Sequence, residues 1–187
     1  VYINRLTDLK NQEIDISKLL ELCKENNEKA QLTLYNQYYK AMFNVSYRIV
    51  GDSYLAEDVM QESFLKAFRK LDTFIGNVTF GSWLKKIVVN TSISELKKLN
   101  KYQFESLDEN VSDLIVKEES ENFTELKAES VLKTIQSLKS NYKIILTLFF
   151  IEGYDLDEIT SILNISNENC RTMMSRAKES LRKNLNK

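Results

Sequence analysis

The chain contains no proline and no histidine, and its 187 residues include only four glycines and two cysteines. Each shortage excludes something. Without proline, and with glycine confined to positions 51, 76, 81 and 153, little interrupts long helices, so the chain reads as all-α with each glycine a candidate boundary. Without histidine the commonest general base and zinc ligand are missing. Cys23 and Cys170 lie far apart inside apolar stripes and form no paired-ligand spacing. They read as small core residues in a reducing compartment, with no disulfide, metal or cofactor expected. The sequence has neither a phosphate-cradling glycine loop nor a nucleophile–base pair, so no enzyme activity is expected. Its longest apolar run, Ile144 to Ile151, is far short of the ~20 residues of a membrane span. The opening VYINRLTDLK lacks the apolar stretch of a signal peptide, so the expected location is the cytoplasm.

What is present is an uneven distribution of charge. The net charge of −1 argues against a protein that coats nucleic acid, but the sum hides a division. Between Phe80 and Lys101 five lysines face Glu95 alone. From Tyr102 to Ser130 nine acids face Lys117 and Lys127, and from Ser161 onward six basic residues face Glu168 and Glu179. Two basic modules thus flank an acidic connector of weak periodicity, the composition of a flexible linker.

Along the chain, the first ten or so residues have no clear period and read as a loose arm. A short helix from Ser17 breaks at Asn26-Asn27, and a longer one runs to Gly51, after which Ser53 is expected to cap the next. That helix, to Leu71, has a core stripe of Ala56, Met60, Phe64, Ala67 and Leu71. Opposite lie Asp58, Gln61, Glu62, Leu65 and Arg69; taken alone, this is an ordinary solvated face with one stray leucine. DTFIGNVT, from Asp72 to Thr79, carries turn chemistry around Phe74 and Ile75. A helix from Phe80 to about Asn100 buries Phe80, Trp83, Leu84, Ile87 and Val88. On another face it carries Lys86, Asn90, Ile93 and Lys97, suited to phosphates and a base edge or simply to water.

The C-terminal part reads as a helix around Val131 to Leu138, a nearly all-apolar core helix from Ile144 to Ile151, and a helix-turn-helix in DLDEITSILNISNENCRTMMSRAKESL. Asp155 and Glu158 have the spacing of a capping box, Asn164 suits a left-handed stop, and Ser166 caps the last helix. That helix turns Cys170, Met174, Ala177 and Leu181 inward. Arg171, Thr172, Ser175, Arg176, Lys178 and Arg182 face out, with Met173 near the outer side. These outer types read base edges and hold phosphates in a major groove, although paired helices with short turns are also common in plain bundles.

Together the stretches AEDVMQESFLKAFRKLDTFIGNVTFGSWLKKIVVNTSISELKK (Ala56 to Lys98) and FFIEGYDLDEITSILNISNENCRTMMSRAKESL (Phe149 to Leu181) resemble an extracytoplasmic-function (ECF) sigma factor of the sigma-70 family. The resemblance implies sigma region 2 over residues 17–101, a linker over 102–128 and sigma region 4 over 129–187. It implies a transcription initiation factor that binds core RNA polymerase through its clamp helices and flap, with promoter DNA and an anti-sigma factor as further partners. Asp58, Gln61, Glu62 and Leu65 would dock on polymerase. Asp72, Phe74, Asn77 and Phe80 would capture a flipped minus-ten base, and Lys86, Asn90 and Lys97 would line the melted strand. Asn169, Arg171, Thr172, Ser175 and Arg176 would read the minus-thirty-five duplex, and the acidic linker would thread a basic polymerase channel. Glu168 would favour its helix dipole but repel phosphate, which suits a cytosine amino group as its partner. Two alternatives are a regulator that binds duplex DNA without polymerase, and a sigma mimic that sequesters an anti-sigma protein.

Overall fold

The computed structural model describes residues 16–99 and 128–185; the expected loose arm and acidic linker lie outside the described residues. Every regular element described is helical. The N-terminal lobe comprises α1 (Ile16–Lys24), α2 (Glu28–Val50), α3 (Ser53–Arg69), a 3-10 turn (Leu71–Thr73) and α4 (Phe80–Lys98). The C-terminal lobe comprises α5 (Ala128–Ser137), α6 (Ser140–Leu146) continued by a π-helical turn (Thr147–Ile151), α7 (Leu156–Leu163) and α8 (Asn167–Leu185).

Local chemistry explains the N-terminal boundaries. Asn26, at φ 60°, takes the left-handed conformation that ends α1, and the Asn27 carboxamide oxygen accepts the Ala30 N–H to open α2. Gly51, at φ 77°, closes α2 at negligible steric cost. The cap of α3 is Asp52 and not Ser53, because Asp52 Oδ1 accepts the Leu55 N–H at 2.8 Å. Thr79 caps α4 by accepting the Ser82 N–H.

α2, α3 and α4 pack on one another, and α1 lies against α2 and the 3-10 turn. The stripe Ala56, Met60, Phe64, Ala67 and Leu71 is buried as expected, with Val59 beside it. Phe80 is also buried, held edge-on by Tyr38 and Phe74, while Trp83 and Ile87 are only half-buried. Cys23 and Cys170 are buried free thiols, and desolvation raises the Cys23 pKa, so it behaves as a small apolar filler.

In the C-terminal lobe α6 and α8 pack together, with α5 against both and α7 against α8. The expected single apolar helix from Ile144 to Ile151 is instead divided. Ile144, Ile145, Leu146 and Leu148 are fully buried, but the π turn rotates Phe150 outward to 53% exposure. Closing that turn, the Glu152 N–H reaches Thr147 O, five residues back. α7 also packs against α4, which brings the two lobes into contact.

Candidate nucleic-acid interface

The helix-turn-helix forms where the sequence places it. Asp155 and Glu158 satisfy each other's backbone amides, with Glu158 N–H to Asp155 Oδ1 at 2.8 Å and Asp155 N–H to Glu158 Oε2 at 3.0 Å. Asn164 ends α7 at φ 57°, and the Ile165 N–H bonds back to Thr160 O. Ser166 Oγ then accepts the Asn169 N–H, while Thr160 Oγ1 donates to Asn167 Oδ1 across the turn. These bonds set the angle at which α8 is presented.

On α8 the inner stripe Cys170, Met174, Ala177 and Leu181 is buried, and Arg171, Thr172 and Ser175 are exposed. Asn169 and Arg176 are half-buried at the margins of that surface. Two expectations need correction. Met173 is 1% exposed and belongs to the core; it lies three residues after Cys170 and four before Ala177, so helical geometry turns it inward. Lys178 is not a free outer cation: its Nζ sits 5.1 Å from the Phe149 ring centroid and 5.9 Å from that of Phe150, stacking over the two rings of the π turn.

On α3, Asp58, Gln61, Glu62 and Leu65 are all exposed on one face, with Leu65 at 55%. Gln61 donates to Glu57, and Glu62 pairs with Lys66 at 3.1 Å. That bond and the charge of Lys66 hold the Glu62 carboxyl below its ordinary pKa, so the face stays anionic around its leucine.

The loop between α3 and α4 exposes Asp72 and Asn77, and Gly76 turns it at φ 76°. Phe74 is half-buried on Phe80 and Trp83, with centroids at 5.8 and 5.4 Å. Phe80 therefore forms the wall behind the loop and is itself 4% exposed. Ile75 and Val78, absent from the expected set, stand out at 81% and 49% exposure. Their signal in the sequence was two apolar residues bracketing Gly76 and Asn77, where turn chemistry alone demands polar ones.

Along α4, Lys86 and Asn90 are exposed as expected, but Ile93 is 2% exposed. The face assigned to solvent is partly covered because α4 packs on α2 and α3 and also on α7. Lys97, though exposed, donates from Nζ to Leu163 O at 2.8 Å, capping the negative end of α7.

Comparison with known proteins agrees with this arrangement. Residues 34–102 match the sigma-70 region 2 family and residues 128–181 match sigma-70 region 4. The ECF RNA polymerase sigma factor SigW of Bacillus subtilis is 28% identical, the match covering 92% of this chain and 98% of that protein. The ECF sigma-E factor of Salmonella typhimurium is 30% identical, covering 87% of this chain and 90% of its own. In fold the chain is similar to the Bartonella quintana sigma factor RpoE solved with the anti-sigma factor NepR, at a TM-score of 0.52 and 19% identity over 81% of this chain and 93% of that one. A helix-turn-helix lobe, a region 2 lobe and these relatives have one explanation: the chain belongs to the ECF sigma factors, transcription initiation factors that bind core RNA polymerase and direct it to promoters.

Proposed function

We propose that this sigma factor divides its work between the lobes at the residues described above. Residues 17–101 act as region 2, with 102–128 as the connector and 129–187 as region 4. The α3 face of Asp58, Gln61, Glu62 and Leu65 docks on the polymerase clamp helices, and the C-terminal lobe docks on the flap. In region 2 the loop with Asp72, Phe74 and Asn77 receives a flipped minus-ten base against the wall made by Phe80. Lys86, Asn90 and Lys97 then hold the separated strand. Flipping costs a few kcal/mol of stacking, which a shaped pocket and flanking cations offset. In region 4, Asn169, Arg171, Thr172, Ser175 and Arg176 read the minus-thirty-five duplex. An anti-sigma factor, the partner named for the Bartonella protein, is a further partner we propose. No described helix is long and apolar enough to cross a membrane, and we place the protein in the cytoplasm, where polymerase works.

The observation that carries this reading is the exposure of Arg171, Thr172 and Ser175 on a helix set by side-chain caps, in the same chain as the exposed Leu65 among carboxylates. The test is transcription by core polymerase with the purified chain on genomic DNA, with transcript starts mapped. Leu65→Asp is expected to abolish holoenzyme formation while leaving the melting temperature unchanged. Asn90→Ala is expected to leave polymerase binding intact and slow strand opening, read by permanganate footprinting. Tight duplex binding by the free chain would favour the polymerase-independent regulator instead, since near-zero net charge gives little electrostatic affinity.

A further inference from the structure

A concave site that the promoter reading does not use lies within the N-terminal lobe, between α2 and α3. Tyr35, Tyr39 and Phe43 recur at every fourth residue of α2, so they stand above one another on one helix face. The Tyr35 and Tyr39 rings are stacked, 10° from parallel with centroids 5.6 Å apart, and Phe64 of α3 backs Tyr35 at 4.8 Å. Met60 of α3, 3% exposed, forms the floor. The cleft so lined has a volume of about 460 Å³. That lies in the range of small-molecule sites, which are mostly apolar with a few polar groups to orient the ligand.

Three polar side chains complete the lining: Lys40, Asn44 and Glu57. All are exposed, so the fold does not spend them on its own core. Lys40 holds its Nζ over the Tyr39 ring, 5.9 Å from the centroid. Glu57 accepts from Gln61 Nε2 at 3.3 Å and keeps its other lone pairs for a ligand.

This chemistry narrows the occupant. Parallel tyrosine faces suit a flat π system. A carboxylate accepts from two adjacent N–H donors, which the guanidinium of arginine offers and so does the N1 and N2 edge of guanine. Adenine does not, because its Watson–Crick edge alternates donor and acceptor. Lys40 decides between the first two, since its charge repels a guanidinium and attracts a phosphate. Asn44 adds an amide donor of the kind that guanine O6 accepts.

We propose that this cleft binds a free guanine nucleotide. The base lies against Tyr35 and Tyr39, its N1–H and N2–H donate to Glu57, Asn44 donates to O6, and Lys40 holds the phosphate. A melted promoter strand is another source of the same base. Glu57 precedes Asp72 by 15 residues, about 20 Å of helix at ~1.5 Å per residue. The cleft is thus remote from the loop proposed to receive that strand, which favours the free nucleotide. Gln61, which bonds to Glu57, belongs to the α3 face proposed for polymerase, so the nucleotide sits at the edge of that face.

Calorimetric titration of the full chain with GMP, AMP and inorganic phosphate, each alone, tests the assignment. GMP is expected to bind at one site, AMP about tenfold more weakly, and phosphate without measurable affinity. Glu57→Gln is expected to weaken GMP about tenfold, because an amide oxygen does not replace a carboxylate that accepts two N–H groups. Tyr39→Ala, which removes a stacking face, is expected to weaken it by about the same factor. Glu179→Gln, which removes an equal charge from an exposed pair with Lys183, is expected to leave it unchanged. Far-UV circular dichroism checks each fold, and Glu57→Gln, at an exposed position, decides the matter if Tyr39→Ala does not fold. Absence of GMP binding, equal affinity for GMP and AMP, or GMP affinity indifferent to Glu57→Gln overturns the proposal. Tighter binding of arginine methyl ester than of GMP overturns it in favour of an arginine from a protein partner. A guanine-containing single-stranded oligonucleotide that binds more tightly than GMP, and is weakened by Glu57→Gln, overturns it in favour of the promoter strand.

Discussion

The two lobes solve the same problem with different means. The N-terminal lobe relies on helices of 23, 17 and 19 residues that present long, straight faces. The C-terminal lobe sets one 19-residue helix against partners of 7 to 10 residues joined by a π turn and a capped turn. A long helix buries a continuous stripe, so its free face is fixed by the 3.6-residue period alone. A short helix is marginal by itself and depends on caps and tertiary packing for both existence and direction. The exposed Leu65 face on α3 is thus a consequence of periodicity, and the presentation of α8 is a consequence of punctuation.

Core truncation tests this contrast most severely. Leu84→Ala in the large lobe and Ile145→Ala in the small one each cost about 2–5 kcal/mol, both residues being 0% exposed. Amide hydrogen exchange is expected to show the small lobe unfolded by its substitution with α2 to α4 still protected. Joint unfolding of both lobes would break the distinction. Next in size, Arg171→Ala is expected to lose about 1–3 kcal/mol of minus-thirty-five recognition with unchanged stability, measured by holoenzyme binding to that duplex. Asp155→Ala, which removes the capping box, costs about 1 kcal/mol and is expected to weaken duplex binding although Asp155 is not among the residues proposed to read it. Calorimetry and duplex titration together separate the two effects.

The smallest effect belongs to the α3 face. Because Lys66 holds the folded Glu62 pKa below its ordinary value, the pair's contribution is present above that ordinary value and fades as pH falls through the lowered one. In Lys66→Met, the Glu62 carboxyl titration followed by NMR is expected to move up toward the usual carboxylate range.

Much of this was legible in the linear chain. The core stripe of α3, the exposed Leu65 face, the Asp155 box, the Asn164 stop and the Ser166 cap depend only on residues three or four apart. Such neighbours meet whatever else the chain does. Misreadings arose where more than one face of a helix is covered. Ile93 is buried on a face expected to be open, on a helix that packs against α2, α3 and α7 at once. Met173 lies off the i+4 stripe of Cys170 and Met174 but on its i+3 companion, and so is buried. Phe80, expected in the core, is 4% exposed and packs behind Phe74 of the loop.

The amino-acid sequence by itself determined the helices, their caps, the charge division and the family, since each rests on local spacing or on motif order. Only the tertiary structure decided where Arg48, Glu152 and Lys97 go. Arg48 and Glu152 are 104 residues apart, and Lys97 and Leu163 are 66 apart. No periodicity reaches that far. Partners at such separation are chosen by which surfaces remain uncovered once each lobe has buried its own core.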